Sequence, residues 1–229
     1  MTILIEQEST LVRMGARALL IIDIQNDFLP PDGSLAVQDG DAIIDPVIKL
    51  LNEKKWDCVA MTKDWHPSDH ISFAKNHGLP DYSAFTYESP VRGSTEKQEA
   101  TLWPVHCVQE SWGSEVPERL MKELQKQEVP HTVVNKGFLA DREYYSGFND
   151  IWNDHRTELD DFLKKNNVSE VYLVGLALDF CVMNTAISAA KLGYKTTILK
   201  DYTRAIKNDP KSVETLIKDL HSRFDIQIE

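Results

Sequence analysis

Cys181 is the residue whose position in this sequence most strongly suggests chemistry. It follows the apolar run EVYLVGLA (170–177) and opens CVMNTAISAAKLG (181–193), a pattern that predicts a helix. In the first turn of a helix, backbone N–H groups and the macrodipole favour a thiolate and can hold a developing oxyanion. A free cysteine is more often a small buried hydrophobe, and Cys58 and Cys107 keep that interpretation because they lack this placement. We therefore predict that Cys181 is a nucleophile.

A cysteine nucleophile needs a base, and Asp23 is the candidate. It lies at the end of the apolar run ARALLIIDI (16–24), so it should be buried. Burial without a counter-charge raises the pKa of a carboxyl group, which helps it to collect and return a proton. Asp27 is assigned to capping the following turn instead. Lys136 ends HTVVNK (131–136) and would hold both Asp23 and the thiolate in their charged forms.

A second set of residues is suited to a metal ion. Asp64 and His66 form an Asp-x-His pair in KDWHPSDHISF, and His70 follows four residues later. A carboxylate with imidazoles suits zinc, iron or manganese. His106, in WPVHC, would complete the set from a long loop. We assign the remaining histidines to the surface or to packing: His77, His131, His155 and His221.

The elements that must position these residues alternate along the chain. Apolar runs predict strands at 16–24, 57–65, 131–136, 170–177 and 195–201, with helices at 42–53, 158–166, 181–193 and 210–224 and a short edge strand in DIQIE. Such alternation predicts an α/β fold with three layers, in which helices cover both faces of a mostly parallel sheet. Ligands bind beyond the carboxyl ends of such strands, which is where Asp23, Asp64, Lys136 and Cys181 are expected. The stretch 77–106 is predicted to be a long polar loop.

Composition limits the class of protein. The 229 residues suit a single domain, predicted over 17–229 with an N-terminal extension at 1–16. A net charge of −11 without a basic cluster argues against nucleic acid and anionic membranes as partners. Three scattered cysteines, no secretion signal and no long apolar run predict an intracellular, cytoplasmic protein, with nuclear or peroxisomal sites open. Glycine-rich nucleotide motifs are absent from the sequence.

Five motifs together carry a resemblance to a known family. IIDIQNDF, KDWHPSDHISF, LWPVHC, NKGFLADREYYSGF and VGLALDFCVMNTAISAAKLGYKT occur in this order. They resemble the nicotinamidases of the isochorismatase-like cysteine hydrolases, from about residue 17 to about residue 205. LWPVHC and DREYYS are closer to the fungal type. The resemblance implies a metal-dependent hydrolase of a carboxamide C–N bond, which converts nicotinamide into nicotinate and ammonia in NAD salvage.

The resemblance also implies roles for individual residues. Asp23, Lys136 and Cys181 match the catalytic triad of the family. Asp64, His66 and His106 match the metal ligands of the family, and His70 matches a further ligand in some members. Phe28, Trp103 and Tyr145 match aromatic residues that surround the pyridine ring. Ala177 and Cys181 match the oxyanion hole, which follows a cis peptide bond before Ala177. One divalent metal ion is implied, with zinc favoured and iron or manganese open.

Other functions stay open at the level of sequence. Relatives that cleave isochorismate lack the cysteine, so Cys181 disfavours that reaction. Relatives that hydrolyse carbamoyl or ureido compounds, or other aromatic amides, are the main alternative, although the histidine pattern favours a metal that binds a ring nitrogen. A catalytically silent binding protein would show a broken triad, whereas each triad position is filled. The oligomeric state is open, including a homo-oligomer.

Overall fold

The computed structural model describes residues 15–229, and one six-stranded sheet organises them. Its strands are β1 (Ala16–Ile22), β2 (Cys58–Asp64), β5 (His131–Lys136), β6 (Val168–Leu176), β7 (Lys195–Arg204) and β8 (Gln227–Ile228), in the spatial order β5-β2-β1-β6-β7-β8. Every pairing between these strands is parallel. The predicted mostly parallel sheet is confirmed. Residues 1–14 of the predicted N-terminal extension lie outside the described part of the chain.

Helices cover both faces of the sheet because successive residues of its strands point to opposite sides. In β1, Leu19 and Ile21 join one buried cluster, while Leu20 and Ile22 join the other. The first cluster is covered by α1 (Ile44–Glu53) and α2 (Glu118–Gln125), and the second by α3 (Leu159–Lys165), α4 (Met183–Lys191) and α5 (Pro210–Phe224). The three-layer architecture is therefore confirmed.

The stretch from 77 to 106 differs from the prediction of an irregular loop. It contains an antiparallel hairpin of β3 (Ala84–Glu88) and β4 (Lys97–Thr101), which forms a separate two-stranded sheet. Only one side of the hairpin is apolar: Tyr87 is buried in a small cluster with Ala74 and Leu102. Phe85 and Ala100 pack against this cluster, but six of the ten strand positions are charged or polar, so the sequence pattern resembled that of a loop. Helix α2 was also missed; it is short and buries only Leu120 and Leu124.

The region around Cys181 also differs from the prediction. A π-helical turn over Leu178–Val182 precedes α4, so Cys181 lies in that turn and not at the start of the α-helix. The carbonyl of Ala177 accepts the N–H groups of Phe180 and Val182, each at 3.1 Å. The expected cis peptide bond joins Leu176 to Ala177. No helix within residues 15–229 is long and apolar enough to cross a membrane.

Candidate active site

The predicted triad lies at the carboxyl ends of three strands. From β1 the chain adds β2 and β5 on one side of the sheet, and β6, β7 and β8 then follow on the other side. In open α/β sheets, a ligand-binding crevice lies beyond the carboxyl ends of the strands where the order reverses in this way. Asp23 follows β1, Lys136 ends β5 and Cys181 follows β6, and all three side chains are buried. Asp64, at the end of β2, lies between them. The sheet therefore brings together the residues that the sequence separates.

Lys136 is the centre of this group. Its Nζ lies 2.9 Å from Asp23 Oδ2, 2.5 Å from Asp64 Oδ1 and 3.5 Å from Cys181 Sγ. It also donates a hydrogen bond of 2.9 Å to the carbonyl of Tyr144. Burial alone would lower the pKa of the ammonium, but Asp23 and Asp64 outweigh burial and hold that pKa well above its ordinary value. The two carboxylates thus favour the charged form of Lys136 inside the site.

Asp23 and Cys181 share the influence of that charge. Burial raises the pKa of the Asp23 carboxyl group, and Lys136 opposes the rise. Burial likewise raises the pKa of the Cys181 thiol well above its ordinary value, again opposed by Lys136. One carboxylate oxygen of Asp23, one of Asp64 and the sulfur of Cys181 lie within 4.8 Å of one another. A proton that moves from sulfur to Asp23 therefore leaves the negative charge beside the same ammonium group.

The orientation of Asp23 is fixed by its surroundings. Thr62 donates a hydrogen bond of 2.6 Å to Oδ1 of Asp23. Oδ2 has no aligned hydrogen-bond donor among the described residues, although it forms the ion pair with Lys136. The backbone of Asp23 adopts a φ of +46°, a conformation that costs energy for a residue with a side chain. Oδ2 is thus the oxygen available to receive a proton.

A second group of side chains can hold a metal ion. Oδ2 of Asp64 lies 3.8 Å from His66 Nε2 and 4.0 Å from His106 Nε2, distances too long for hydrogen bonds. Each histidine uses its other nitrogen to bind a carbonyl oxygen: His66 Nδ1 lies 2.9 Å from Gly137 O, and His106 Nδ1 lies 2.8 Å from Pro104 O. These carbonyls require N–H at Nδ1, so in the neutral form of each imidazole the lone pair is on Nε2, on the side of Asp64.

This arrangement fits a divalent metal ion. His66 Nε2 is buried and has no hydrogen-bond partner within residues 15–229. The three ligand atoms of Asp64, His66 and His106 lie within 4.8 Å of one another. One oxygen and two imidazole nitrogens are donors that zinc and related transition metals accept. Burial would raise the pKa of Asp64, but Lys136 and then His66 outweigh burial and keep that pKa well below its usual range. Asp64 is therefore a carboxylate shared by the triad and the metal site.

His70 lies behind the metal site. Its ring centroid is 4.0 Å from that of His66. Its Nε2 lies 3.0 Å from the carbonyl of Arg142, and its Nδ1 lies 2.8 Å from Ser72 Oγ. Both nitrogens are thus engaged by other groups, and this geometry does not support the predicted ligand role of His70. The arrangement is that of a residue that packs against His66.

A narrow cavity that opens to solvent leads to Cys181. The predicted aromatic residues Phe28, Trp103 and Tyr145 all line it, and Ala177 lines it as well. Trp103 Nε1 donates a hydrogen bond of 3.3 Å to the hydroxyl of Tyr145, which fixes the two rings relative to each other. Three apolar walls around one reactive end suit a small flat ring that carries a polar substituent.

Several site residues were missed at the level of sequence. Phe180 meets Trp103 edge-on with ring centroids 4.9 Å apart, and buried Glu143 also lines the cavity. Thr62 and the carbonyl of Tyr144 bind the triad directly. Phe180 precedes Cys181 and Thr62 lies two residues before Asp64 on the same face of β2, so proximity to predicted residues was an available signal. The backbone contact of Tyr144 had no signal in the sequence.

Comparison with known proteins identifies the class of protein that this fold and site define. The family model for the isochorismatase domain matches residues 17–228, so the chain belongs to the isochorismatase-domain family. Among curated relatives, the nicotinamidase of Saccharomyces cerevisiae is 48% identical over 207 residues, which are 89% of this chain and 95% of the relative. The nicotinamidase of Escherichia coli is 35% identical, over 86% of this chain and 87% of its own.

Solved structures agree with the sequence comparison. The yeast nicotinamidase bound to the inhibitor nicotinaldehyde superposes with a TM-score of 0.88 at 46% identity, covering 93% of this chain and 98% of its own. The pyrazinamidase of Pyrococcus horikoshii in complex with zinc gives a TM-score of 0.68 at 32% identity, covering 93% of this chain and 98% of its own. The chain is therefore similar over most of its length to nicotinamidases and to a pyrazinamidase.

Proposed function

We propose that this protein is a nicotinamidase, which hydrolyses nicotinamide to nicotinate and ammonia. The observation that carries the proposal is the position of Cys181 Sγ, 3.5 Å from Lys136 Nζ at the reactive end of an aromatic cavity. Identity to nicotinamidases of 48% and 35% over most of the chain supports the choice of substrate. We further propose that residues 17–229 form one catalytic domain.

The ring of the substrate lies between the aromatic walls of the cavity. Phe28, Trp103 and Tyr145 exclude water and orient the ring so that its carboxamide faces Cys181. Asp64, His66 and His106 hold one divalent ion, for which we propose zinc, with iron or manganese as alternatives. When bound, such an ion supplies a Lewis acid for a lone-pair donor such as the pyridine nitrogen.

The first half of the reaction forms a thioester. Asp23 takes the proton of Cys181, and the sulfur forms a bond to the amide carbon. The N–H groups of Ala177 and Cys181 stabilise the oxyanion, and the loss of one such donor typically costs about 3 kcal/mol. Asp23 then gives its proton to the amide nitrogen, the C–N bond breaks and ammonia leaves. Lys136 remains charged throughout and stabilises whichever of the two groups is anionic.

The second half releases the acid. Asp23 removes a proton from water, and the resulting hydroxide attacks the thioester carbon. The C–S bond breaks, the proton held by Asp23 returns to the sulfur, and the nicotinic acid that forms releases its carboxyl proton to water and leaves as nicotinate. Each proton exchanged with the sulfur, the amide nitrogen or the attacking water therefore passes through a single carboxyl group, which is consistent with a carboxylate oxygen of Asp23 within 4.8 Å of the sulfur.

Ammonia release tests this function. The purified protein should release ammonia from nicotinamide but not from N-carbamoyl amino acids, and a chelator should abolish the release until zinc or another divalent metal is restored. Equal or faster ammonia release from the carbamoyl compounds would overturn the proposed substrate. Activity that survives complete removal of metal would overturn the metal dependence.

A further inference from the structure

Two side chains that follow β1, Gln25 and Asp27, bind the backbone of the segments that carry the candidate metal ligands. We infer that Gln25 and Asp27 are positioning residues, which hold Asp64 and His106 at the separation that a metal ion requires. The inference rests on the proposed metal-dependent function. It adds a structural link, because the segment that supplies the base Asp23 would also determine the geometry of the metal site.

Gln25 holds the backbone of Asp64 from both sides. Its side chain is fully buried, and its Oε1 accepts the N–H of Asp64 at 2.8 Å. Its Nε2 donates to the carbonyl of Asp64 at 2.8 Å and to the carbonyl of Ser114 at 2.9 Å. Only an amide offers both an acceptor and two donors at one position. A carboxylate in its place would present an oxygen to two carbonyl oxygens, so the site specifically requires glutamine.

Asp27 holds the turn that follows His106. Its Oδ2 accepts the N–H of Cys107 at 2.7 Å. Cys107 has a φ of +46°, a conformation that residues with side chains rarely adopt, so the turn needs an external contact to persist. A Cβ at Gly113 would lie 1.9 Å from Oδ2 of Asp27, so this glycine makes room for the carboxylate.

The residue between them provides a contrast. Asn26 donates a hydrogen bond of 2.8 Å to the carbonyl of Trp112, which belongs to a segment without a candidate ligand. The three neighbours thus each bind a backbone group, but only Gln25 and Asp27 bind backbone at or next to a ligand. Removal of a group that orients a metal ligand typically weakens metal binding by about 10–100-fold.

The experiment compares metal retention in full-length holoenzymes. Wild-type protein and the Gln25→Glu, Asp27→Ala and Asn26→Ala variants are loaded with zinc, and its transfer to a chromogenic chelator gives the dissociation constant. We expect about 10–100-fold weaker binding for Gln25→Glu and Asp27→Ala. Asn26→Ala should stay within about twofold of wild type, because its contact does not reach a ligand. Asp27→Asn keeps an oxygen acceptor for Cys107 N–H and should recover most of the affinity lost in Asp27→Ala.

The outcomes separate this inference from the function on which it rests. If Gln25→Glu and Asp27→Ala hold zinc as tightly as wild type, the inference is overturned while the proposed nicotinamidase stands. The inference is also overturned if Asn26→Ala loses as much zinc affinity as Gln25→Glu and Asp27→Ala. Residues 25–27 would then contribute to zinc affinity only through general packing and not through the backbone of the ligands. If the Gln25→Glu protein does not fold, the comparison of Asp27→Ala with Asp27→Asn tests the inference. A wild-type protein that binds no zinc overturns both proposals.

Discussion

The triad and the metal cluster are two buried polar groups that share one carboxylate, yet they are completed in different ways. In the triad, the ammonium of Lys136 meets two carboxylates and a sulfur, so its charge is compensated within the chain. In the metal cluster, His66 Nε2 is buried without a hydrogen-bond partner among the described residues. A buried polar atom without a partner costs free energy, and a metal ion would remove that cost.

Asp64 joins the two groups because its oxygens point in different directions. Oδ1 binds Lys136, and Oδ2 faces the two histidines. The triad should therefore survive loss of the metal, whereas the metal cluster depends on a ligand that the triad also holds. Variants that act on one group alone can test this asymmetry.

The largest effect is expected from Cys181→Ala. Removal of the nucleophile should reduce kcat for nicotinamide by roughly 10⁴-fold or more. Asp23 and Lys136 cannot form the thioester without the sulfur of Cys181. Zinc content should stay at the wild-type level, since the ligands proposed for the ion are Asp64, His66 and His106 and do not include Cys181. Ammonia release and metal analysis on the same sample check both statements. Turnover within tenfold of wild type would contradict the assigned nucleophile.

Lys136→Met should have the largest effect on stability. The variant leaves Asp23 and Asp64 without their buried counter-charge, which typically costs about 3–5 kcal/mol at neutral pH. Chemical denaturation of chelator-treated protein at several pH values measures the free energy of unfolding.

The pH dependence of that loss has a definite sign. In the wild type, the lowered pKa of Asp64 contributes stability above about pH 4, the unfolded value, and this contribution disappears as the pH falls. Without the ammonium, the folded pKa of Asp64 loses the largest influence that lowers it, and the folded pKa of Asp23, which burial already raises, rises further. Relative to wild type, Lys136→Met should therefore be least destabilised in acid and progressively more destabilised as the pH rises through those folded values. A loss that is independent of pH would contradict the ion pairing.

Gly137→Ala should disturb the metal cluster while leaving the triad in place. Gly137 has a φ of +72°, and a Cβ there would lie 2.3 Å from Cε1 of His66. His66 would have to move and would lose its bond to the carbonyl of Gly137, so zinc affinity should fall by about 10–100-fold.

A matched control for Gly137→Ala is available at Gly78. Gly78 has a φ of +65° with no atom within 4 Å of a Cβ built there. Gly78→Ala should therefore cost only the backbone strain, about 1 kcal/mol, with unchanged zinc affinity. Equal zinc affinity in Gly137→Ala and Gly78→Ala would show that contact with His66 is irrelevant to the metal.

The sequence predicted the triad better than it predicted the surroundings of the triad. Asp23, Lys136 and Cys181 follow continuous apolar runs, and the geometry of a parallel sheet places such strand ends together. By contrast, Glu143 and the carbonyl of Tyr144 lie on an irregular segment without a regular period, so no pattern relates their positions to the sheet. The hairpin β3–β4 was missed for a related reason, because one buried residue, Tyr87, orders ten mostly polar strand positions.

The smallest effect is expected from Cys58→Ala. Like Cys181→Ala, this variant removes a cysteine sulfur, but from the start of a strand and not from beyond its carboxyl end. Cys58 begins β2 and is fully buried in the core, and burial raises the pKa of its thiol to about 12. Because Cys58 lies in the core at the start of a strand, its thiol contributes only packing, so its loss should cost about 1 kcal/mol of unfolding free energy and leave kcat within about twofold. Thermal unfolding and ammonia release measure the two quantities. If Cys58→Ala impaired turnover as severely as Cys181→Ala, the location of a sulfur beside Lys136 would not be what makes it a nucleophile.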